Sequence, residues 1–321
     1  MIDVGRSAIG VFGKAPWRAE YLKLRWDGEP FTSFDSWVTD NVEWAALHAG
    51  NAFHEASRAG GVNAFVYRPK NGQGVLAGAV LASTDSAGRN FPLIVAAPLA
   101  AAGEIGASPE VLPLVLEDFW QQASELAVAV QRCGSVEHAS SVAAADFLAG
   151  PGPAEARAAY AEWCSALPLA DLFALVYGEG GISTAANAVR FVVDAVRPFR
   201  AVERPRTPLA LRLPLGAAGG AAVCFWVDLV RRAASWRATI PSFFWSHDGA
   251  SGNLLLHLGD APRSTLADVF TAPSPRGDVC DLTVPLSTEQ LQAIAELPAP
   301  LARCFGGASH VADLVAAAAA L

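Results

Sequence analysis

Apolar residues fall along the chain at two different spacings. In FTSFDSWVTDNVEWAALHAGNAFHEA at 31–56, Phe34, Trp37, Val38, Val42 and Ala45 recur three and four apart, the period of an amphipathic helix, with Ser33 or Asp35 placed to cap its first amides. The run AIGVFGK at 8–14 predicts a short strand that ends at Gly13 and Lys14, followed by a turn at Pro16. Three more runs, NAFVYRP at 63–69, GVLAGAVLA at 74–82 and FPLIVAAPL at 91–99, are apolar and rich in β-branched or aromatic residues. They predict three strands, and their near-continuous hydrophobicity predicts burial on both faces. Ser108-Pro109 then opens a long helix, with Leu112, Leu116, Phe119, Ala123, Leu126 and Val130 as one stripe and Glu117, Gln121 and Glu125 facing out. Pro113 can displace its start.

The second half alternates in the same way. TAANAVRFVVDAVRPF at 184–199 reads as a helix, PLALRLPL at 208–215 as a strand and AAVCFWVDLVRRAASW at 221–236 as a helix. PSFFWS and NLLLHLG read as paired strands joined by HDGASG at 247–252, CDLTVPL at 280–286 as an edge strand, and STEQLQAIAEL as a helix opened by a Ser287–Gln290 capping box. Such alternation predicts an α/β layered sandwich, with a mixed central sheet flanked by helices. The small, polar stretch from Gly134 to Gly152 sets a boundary between an α/β region at 1–135 and a second at 136–321, two regions that can also form one continuous compact unit. No residue pattern repeats between the halves.

Charge narrows the partners. The 321 residues carry 23 Lys and Arg against 31 Asp and Glu, a net charge of −8, with no basic stripe. That balance argues against nucleic acid and anionic membrane. Apolar runs such as Ala217–Val227 fall short of the roughly 20 residues that cross a bilayer, so no membrane insertion is expected. Asp3 and Arg6 interrupt the region where an export signal would need an apolar run, which makes the cytoplasm the expected location. Five cysteines, at 133, 164, 224, 280 and 304, form no C-x-x-C pair and read as buried, reduced thiols.

Motifs for chemistry fail on inspection. Gly13-Lys14 has Ala8 and Ala15 where a phosphate loop needs glycine and a hydroxyl. GEGGIS at 178–183 lacks dinucleotide spacing, and the His247, Asp248 and Ser251 of one turn do not make a triad. His48 and His54, six apart, miss a common helix face, so no metal site is read. Trp17, Trp26, Trp226, Trp236 and Trp245 could stack a ligand, but core packing accounts for them. No catalytic residue and no cofactor is assigned.

One polar island remains, STDSAGRNFP at 83–92 between two apolar runs. Gly88 can take a positive φ there, and Asp85 and Arg89 are spaced to pair across the turn. An exposed pair would contribute only about 0–1 kcal/mol and would point to binding, whereas breaking a buried one would cost about 3–5 kcal/mol. A competing reading places Asp85 and Arg89 in a cleft of an enzyme or small-molecule binder.

Three ordered motifs resemble the TagF family of type VI secretion accessory proteins: VFGKAPWRAEYL at 11–22, FDSWVTDNV at 34–42 and GVLAGAVLASTDSAGRNFPL at 74–93. The matched positions are Phe12, Gly13, Lys14 and Pro16, then Trp37, then Ser83, Asp85, Gly88, Arg89, Phe91 and Pro92. Phe119-Trp120 fits the expected sequel, and IPSFFWS with GNLLLHLGDAP looks like the tail of longer members. The family usually has Gly-Asp-Phe after its first motif where this chain has Ala19-Glu20-Tyr21; if that glycine were left-handed, alanine would strain the loop by about 1–2 kcal/mol. The resemblance implies a cytoplasmic accessory or regulatory factor that is not an enzyme and acts by protein–protein contact. It would restrain assembly after translation, with secretion-system components as partners, among them a forkhead-associated-domain scaffold protein. The loops around Lys14 and Asp85–Arg89 are then the candidate partner surface.

Overall fold

The computed structural model describes residues 9–59, 61–70, 74–99, 104–144, 150–202, 205–246, 252–271 and 278–321. Its strands are β1 (Gly10–Gly13), β2 (Leu22–Leu24), β3 (Val62–Tyr67), β4 (Val75–Leu81), β5 (Leu93–Leu99), β6 (Ala210–Pro214), β7 (Phe243–Ser246), β8 (Asn253–His257) and β9 (Val279–Asp281). They form one nine-stranded sheet in the order β2-β1-β5-β4-β3-β7-β8-β6-β9. Neighbours run antiparallel except β6 and β9, so the sheet is mixed. Strands from both halves of the chain share it, because β3 pairs with β7, Phe65 opposite Phe244.

Why the strands read as continuously apolar is visible in their alternation. Val11, Val66, Ala79, Val95, Leu213, Trp245 and Leu256 point into one core, whose other wall includes Phe119, Ala123 and Val130 of the helix Glu117–Gln131 and Val223, Trp226 and Val230 of Gly219–Ala233. Their neighbours Phe12, Phe65, Val80, Ile94, Phe244 and Leu255 point into a second core, closed by Phe34 and Val38 of the helix Phe31–His48 and by Leu266 of Thr265–Phe270. With a period of two and a helix layer on each side, β1, β4 and β6 are buried at every position and β3, β5, β7 and β8 at all but one, while the edge strands β2 and β9 are partly open. This is the layered α/β sandwich.

Local chemistry moved several boundaries. The single helix expected from Ser108 is broken into a 3-10 turn at Pro109–Val111, a short helix at Leu112–Val115 and the helix Glu117–Gln131. Helical geometry lapses at Leu116 (φ −104, ψ 8), while Pro113, at the start of Leu112–Val115, has no N–H to give the turn at Pro109 before it. Within the small, polar stretch from Gly134 to Gly152, Val136–Ala143 is helical, and Ser135 accepts a capping hydrogen bond from the His138 amide. The helix expected over 31–56 is divided at Ala49 into Phe31–His48 and Gly50–Ala59, the helices Pro153–Ala166 and Leu169–Tyr177 had no counterpart in the hydrophobic pattern, and the Ser287–Gln290 capping box is formed as read. The edge strand is shorter than its run and lies at 279–281. All five cysteines are free, four of them buried and Cys280 partly so. The HDGASG connection up to Ser251 lies outside the described residues, as do Asp3 and Arg6.

Candidate functional site

The polar island folds as the hairpin between β4 and β5. Thr84 and Asn90 form an antiparallel bridge, the Phe91 amide donates to the Ser83 carbonyl at 3.1 Å, and the Asp85 amide donates to the Arg89 carbonyl at 3.0 Å. Gly88 turns the chain at φ +79; a Cβ there would meet nothing, so its glycine answers to the backbone alone. Beside this hairpin lies the loop that leaves β1, because β1 pairs with β5 through Gly13 opposite Leu93. Gly13 has φ +132, and a Cβ on it would collide with the Pro92 carbonyl oxygen. The two motifs are therefore in backbone contact, although some seventy residues separate them.

That contact delivers Lys14 to Asp85. One carboxylate oxygen, Oδ2, accepts from Lys14 Nζ at 2.5 Å and from Arg89 Nε at 2.7 Å. The other, Oδ1, accepts from the backbone amides of Ala87 and Arg89, both at 2.9 Å. Burial opposes ionisation of Asp85, but the hydrogen bonds from Lys14, from the Arg89 backbone and side chain and from Ala87 outweigh it and hold the carboxyl well below its usual range. The two cations differ: side-chain exposure is 6% for Lys14 and 0% for Asp85, but 62% for Arg89. Lys14 makes a buried ion pair; Arg89 closes the site from the solvent side.

Both cations also fix the loop between β1 and β2. Ala19 O accepts from Lys14 Nζ at 3.1 Å and from Arg89 Nη2 at 2.8 Å, while the Ser86 amide donates to Arg18 O at 3.2 Å. Among the described residues the left-handed non-glycine positions are Arg25, Ala201 and Ser235, so Ala19 takes its place without the strain a lost glycine would bring. Tyr21, 44% exposed, has its ring centre 4.9 Å from the Lys14 ammonium and 4.9 Å from that of Phe91, the two rings near perpendicular. The motif is pinned to the helix Glu117–Gln131 at two points: Gln131 Nε2 donates to Ser83 Oγ at 3.2 Å, and Trp17 Nε1 to Val130 O at 3.0 Å.

Of the matched residues, Phe12, Gly13, Lys14, Ser83, Asp85, Phe91 and Pro92 are buried, while Pro16, Gly88 and Arg89 are exposed. Trp37 is half-buried and stands apart from the turn. A line of rings joins them through the second core: Phe91 to Phe12 at 5.5 Å, Phe12 to Trp26 at 5.2 Å, Trp26 to Phe34 at 6.3 Å and Phe34 to Trp37 at 5.4 Å. The Trp37 indole donates to Ala261 O at 2.9 Å and lines a cleft of about 650 Å³ together with Glu29, Thr32, Ser33, Ser36, Asp40, Tyr67, Lys70 and Arg206. Asp85 and Arg89 do not line that cleft. Reading the sequence missed both the Lys14–Asp85 pair and this cleft. A lysine directly following a buried strand was the one available signal for the pair.

Among the described residues no group of three His, Cys, Asp or Glu side chains is placed to hold a metal ion, and no helix is long and apolar enough to cross a membrane. Residues 10–150 match the model of the TagF N-terminal domain, type VI secretion system-associated, and the Asp85 turn and Trp37 both lie inside that match. No curated protein matches the chain. The crystal structure of PA0076 from Pseudomonas aeruginosa PAO1 is similar over 87% of this chain and 98% of that one, with 19% identity and a TM-score of 0.48.

Proposed function

We propose that the chain is a cytoplasmic regulatory factor of a type VI secretion system that works by touching other components, not by catalysis. It restrains assembly after translation, and a forkhead-associated-domain scaffold protein is the candidate partner. The type VI association of the domain at 10–150 supports the setting. The observation that carries the mode of action is the saturation of Asp85. Its two oxygens accept four hydrogen bonds from within the chain and its side chain is fully buried, which leaves no oxygen free to take a proton from a substrate. What the turn offers outward is Arg89, flanked by the exposed Pro16, Glu20, Tyr21, Ser86 and Ala87. Arginine and tyrosine beside each other on a rigid loop suit a protein contact. Binding a scaffold in one of its states shifts assembly by as much as the preference between states allows.

A pull-down from cells with an intact secretion cluster tests the reading. The wild-type chain should retain a secretion component and Arg89→Ala should lose it while keeping its melting temperature within a few degrees. Recovery of no secretion component by the wild-type chain, or equal recovery by both, would overturn it.

A further inference from the structure

The cleft around Trp37 lies at one end of the sheet. Tyr67 ends β3 and Lys70 follows it; the β7 entry pairs there, and the end of β8 pairs with the start of β6, which brings Arg206 to the same end. Glu29, Thr32, Ser33, Ser36 and Asp40 come from the helix Phe31–His48 and the residues just before it. The floor is aromatic: Trp37 and Tyr67 stand 4.7 Å apart, and Tyr67 is only 3% exposed. Its hydroxyl has no hydrogen-bond partner among the described residues although the residue lines the cleft. Glu29, Asp40, Lys70 and Arg206 all line the cleft and are exposed, yet none forms an ion pair among the described residues. Two acids and two bases around one concavity, all left open, match a ligand that carries both signs.

We infer that this cleft binds a zwitterionic ligand, its cationic group held by Glu29 and Asp40 and its carboxylate by Lys70 and Arg206. A volume of about 650 Å³ falls within the usual range for small-ligand sites. The cation belongs beside Glu29 and Asp40 because an ammonium or guanidinium gains charge-assisted hydrogen bonds from neighbouring carboxylates. Burial, then the charges of Asp260, Asp40 and Glu29, raise the Tyr67 phenol above its ordinary pKa, so it stays a neutral donor and the local field there is negative. An arginine-like amino acid and an Arg–Glu pair on a peptide segment present the same two groups.

The nine indole N–H signals of the full chain, followed by two-dimensional NMR with Trp37 assigned through Trp37→Phe, read this directly. L-arginine, agmatine and the blocked dipeptide acetyl-Arg-Glu-amide serve as probes at millimolar concentration. L-arginine or the dipeptide should move the Trp37 signal saturably, and agmatine, which lacks the carboxylate, should bind about tenfold more weakly. Whichever of the first two binds more tightly identifies the source as a free amino acid or a peptide segment. Asp40→Asn and Arg206→Gln, both at exposed unpaired positions, should each weaken binding by a similar factor. No movement with either probe, or movement unchanged in both variants, would overturn the inference.

Discussion

The Asp85 turn and the Trp37 cleft are built from the same kinds of residue and use them in opposite ways. At the turn, one carboxylate faces two cations and two amides and every donor finds it; in the cleft, two carboxylates and two cations line one cavity and none finds another. Burial makes the difference. A charge taken out of water must be paired inside the chain or it destabilises the fold, so Asp85 and Lys14 are committed to each other. Charges left at the rim of a cleft stay solvated at little cost and remain free for a partner. The motif residues at the turn thus serve architecture, while the cleft leaves its charged groups open to solvent.

The largest test of that contrast removes the buried carboxylate. Asp85→Ala leaves the Lys14 ammonium buried, with Ala19 O and the Tyr21 ring as its remaining contacts, and should cost about 3–5 kcal/mol in urea unfolding. Adding Lys14→Met to it should restore part of the loss, because no buried charge then remains. Asp40→Asn in the cleft should change stability by less than about 0.5 kcal/mol. Equal costs at the two sites would dissolve the comparison.

Acid separates a second pair of groups. Asp85 has a folded-state pKa below its ordinary 3.8, so its contribution is whole above that value and is lost as pH falls below it. His257 is pushed down from 6.5 to about 3 by burial, only partly offset by the charge of Asp278, so the unfolded chain takes up its proton first. Stability should therefore begin to fall at about pH 6.5 and fall further below about pH 4. Unfolding measured across pH should show His257→Gln flattening the upper part of the decline and Asp85→Ala lacking the lower part. A decline that begins only below pH 4 in the wild-type chain would remove His257 from the account.

What the sequence carried was local or periodic. The Ser287–Gln290 capping box spans three residues and is legible at sight; so is the Phe34-Trp37-Val38 stripe, and so are the strands, whose two-sided burial follows from their unbroken apolarity. The Asp85–Arg89 pair, four apart, was legible too. The Lys14–Asp85 pair spans 71 positions and exists only because β1 returns to lie against β5, a sheet neighbour that no spacing announces. The cleft escaped for the same reason: Arg206 reaches Trp37 through the order β3-β7-β8-β6, which joins the two halves. Pro113 signalled a break in the long helix, but where the axis would resume depended on packing against the sheet.

The smallest effect is the most informative about the turn. Arg89 gives Asp85 one hydrogen bond at 2.7 Å and Ala19 another at 2.8 Å, yet its side chain is 62% exposed. Water can replace both bonds when it is cut back, and Lys14 with two backbone amides still holds the carboxylate. Arg89→Ala should therefore cost only about 0–1 kcal/mol in urea unfolding, several-fold less than Asp85→Ala. Raising the salt concentration should shrink even that difference, since an exposed pair is screened and a buried one is not. A cost as large as that of Asp85→Ala would mean that the outer cation is part of the lock, and the surface it presents would then lose its claim to be free for a partner.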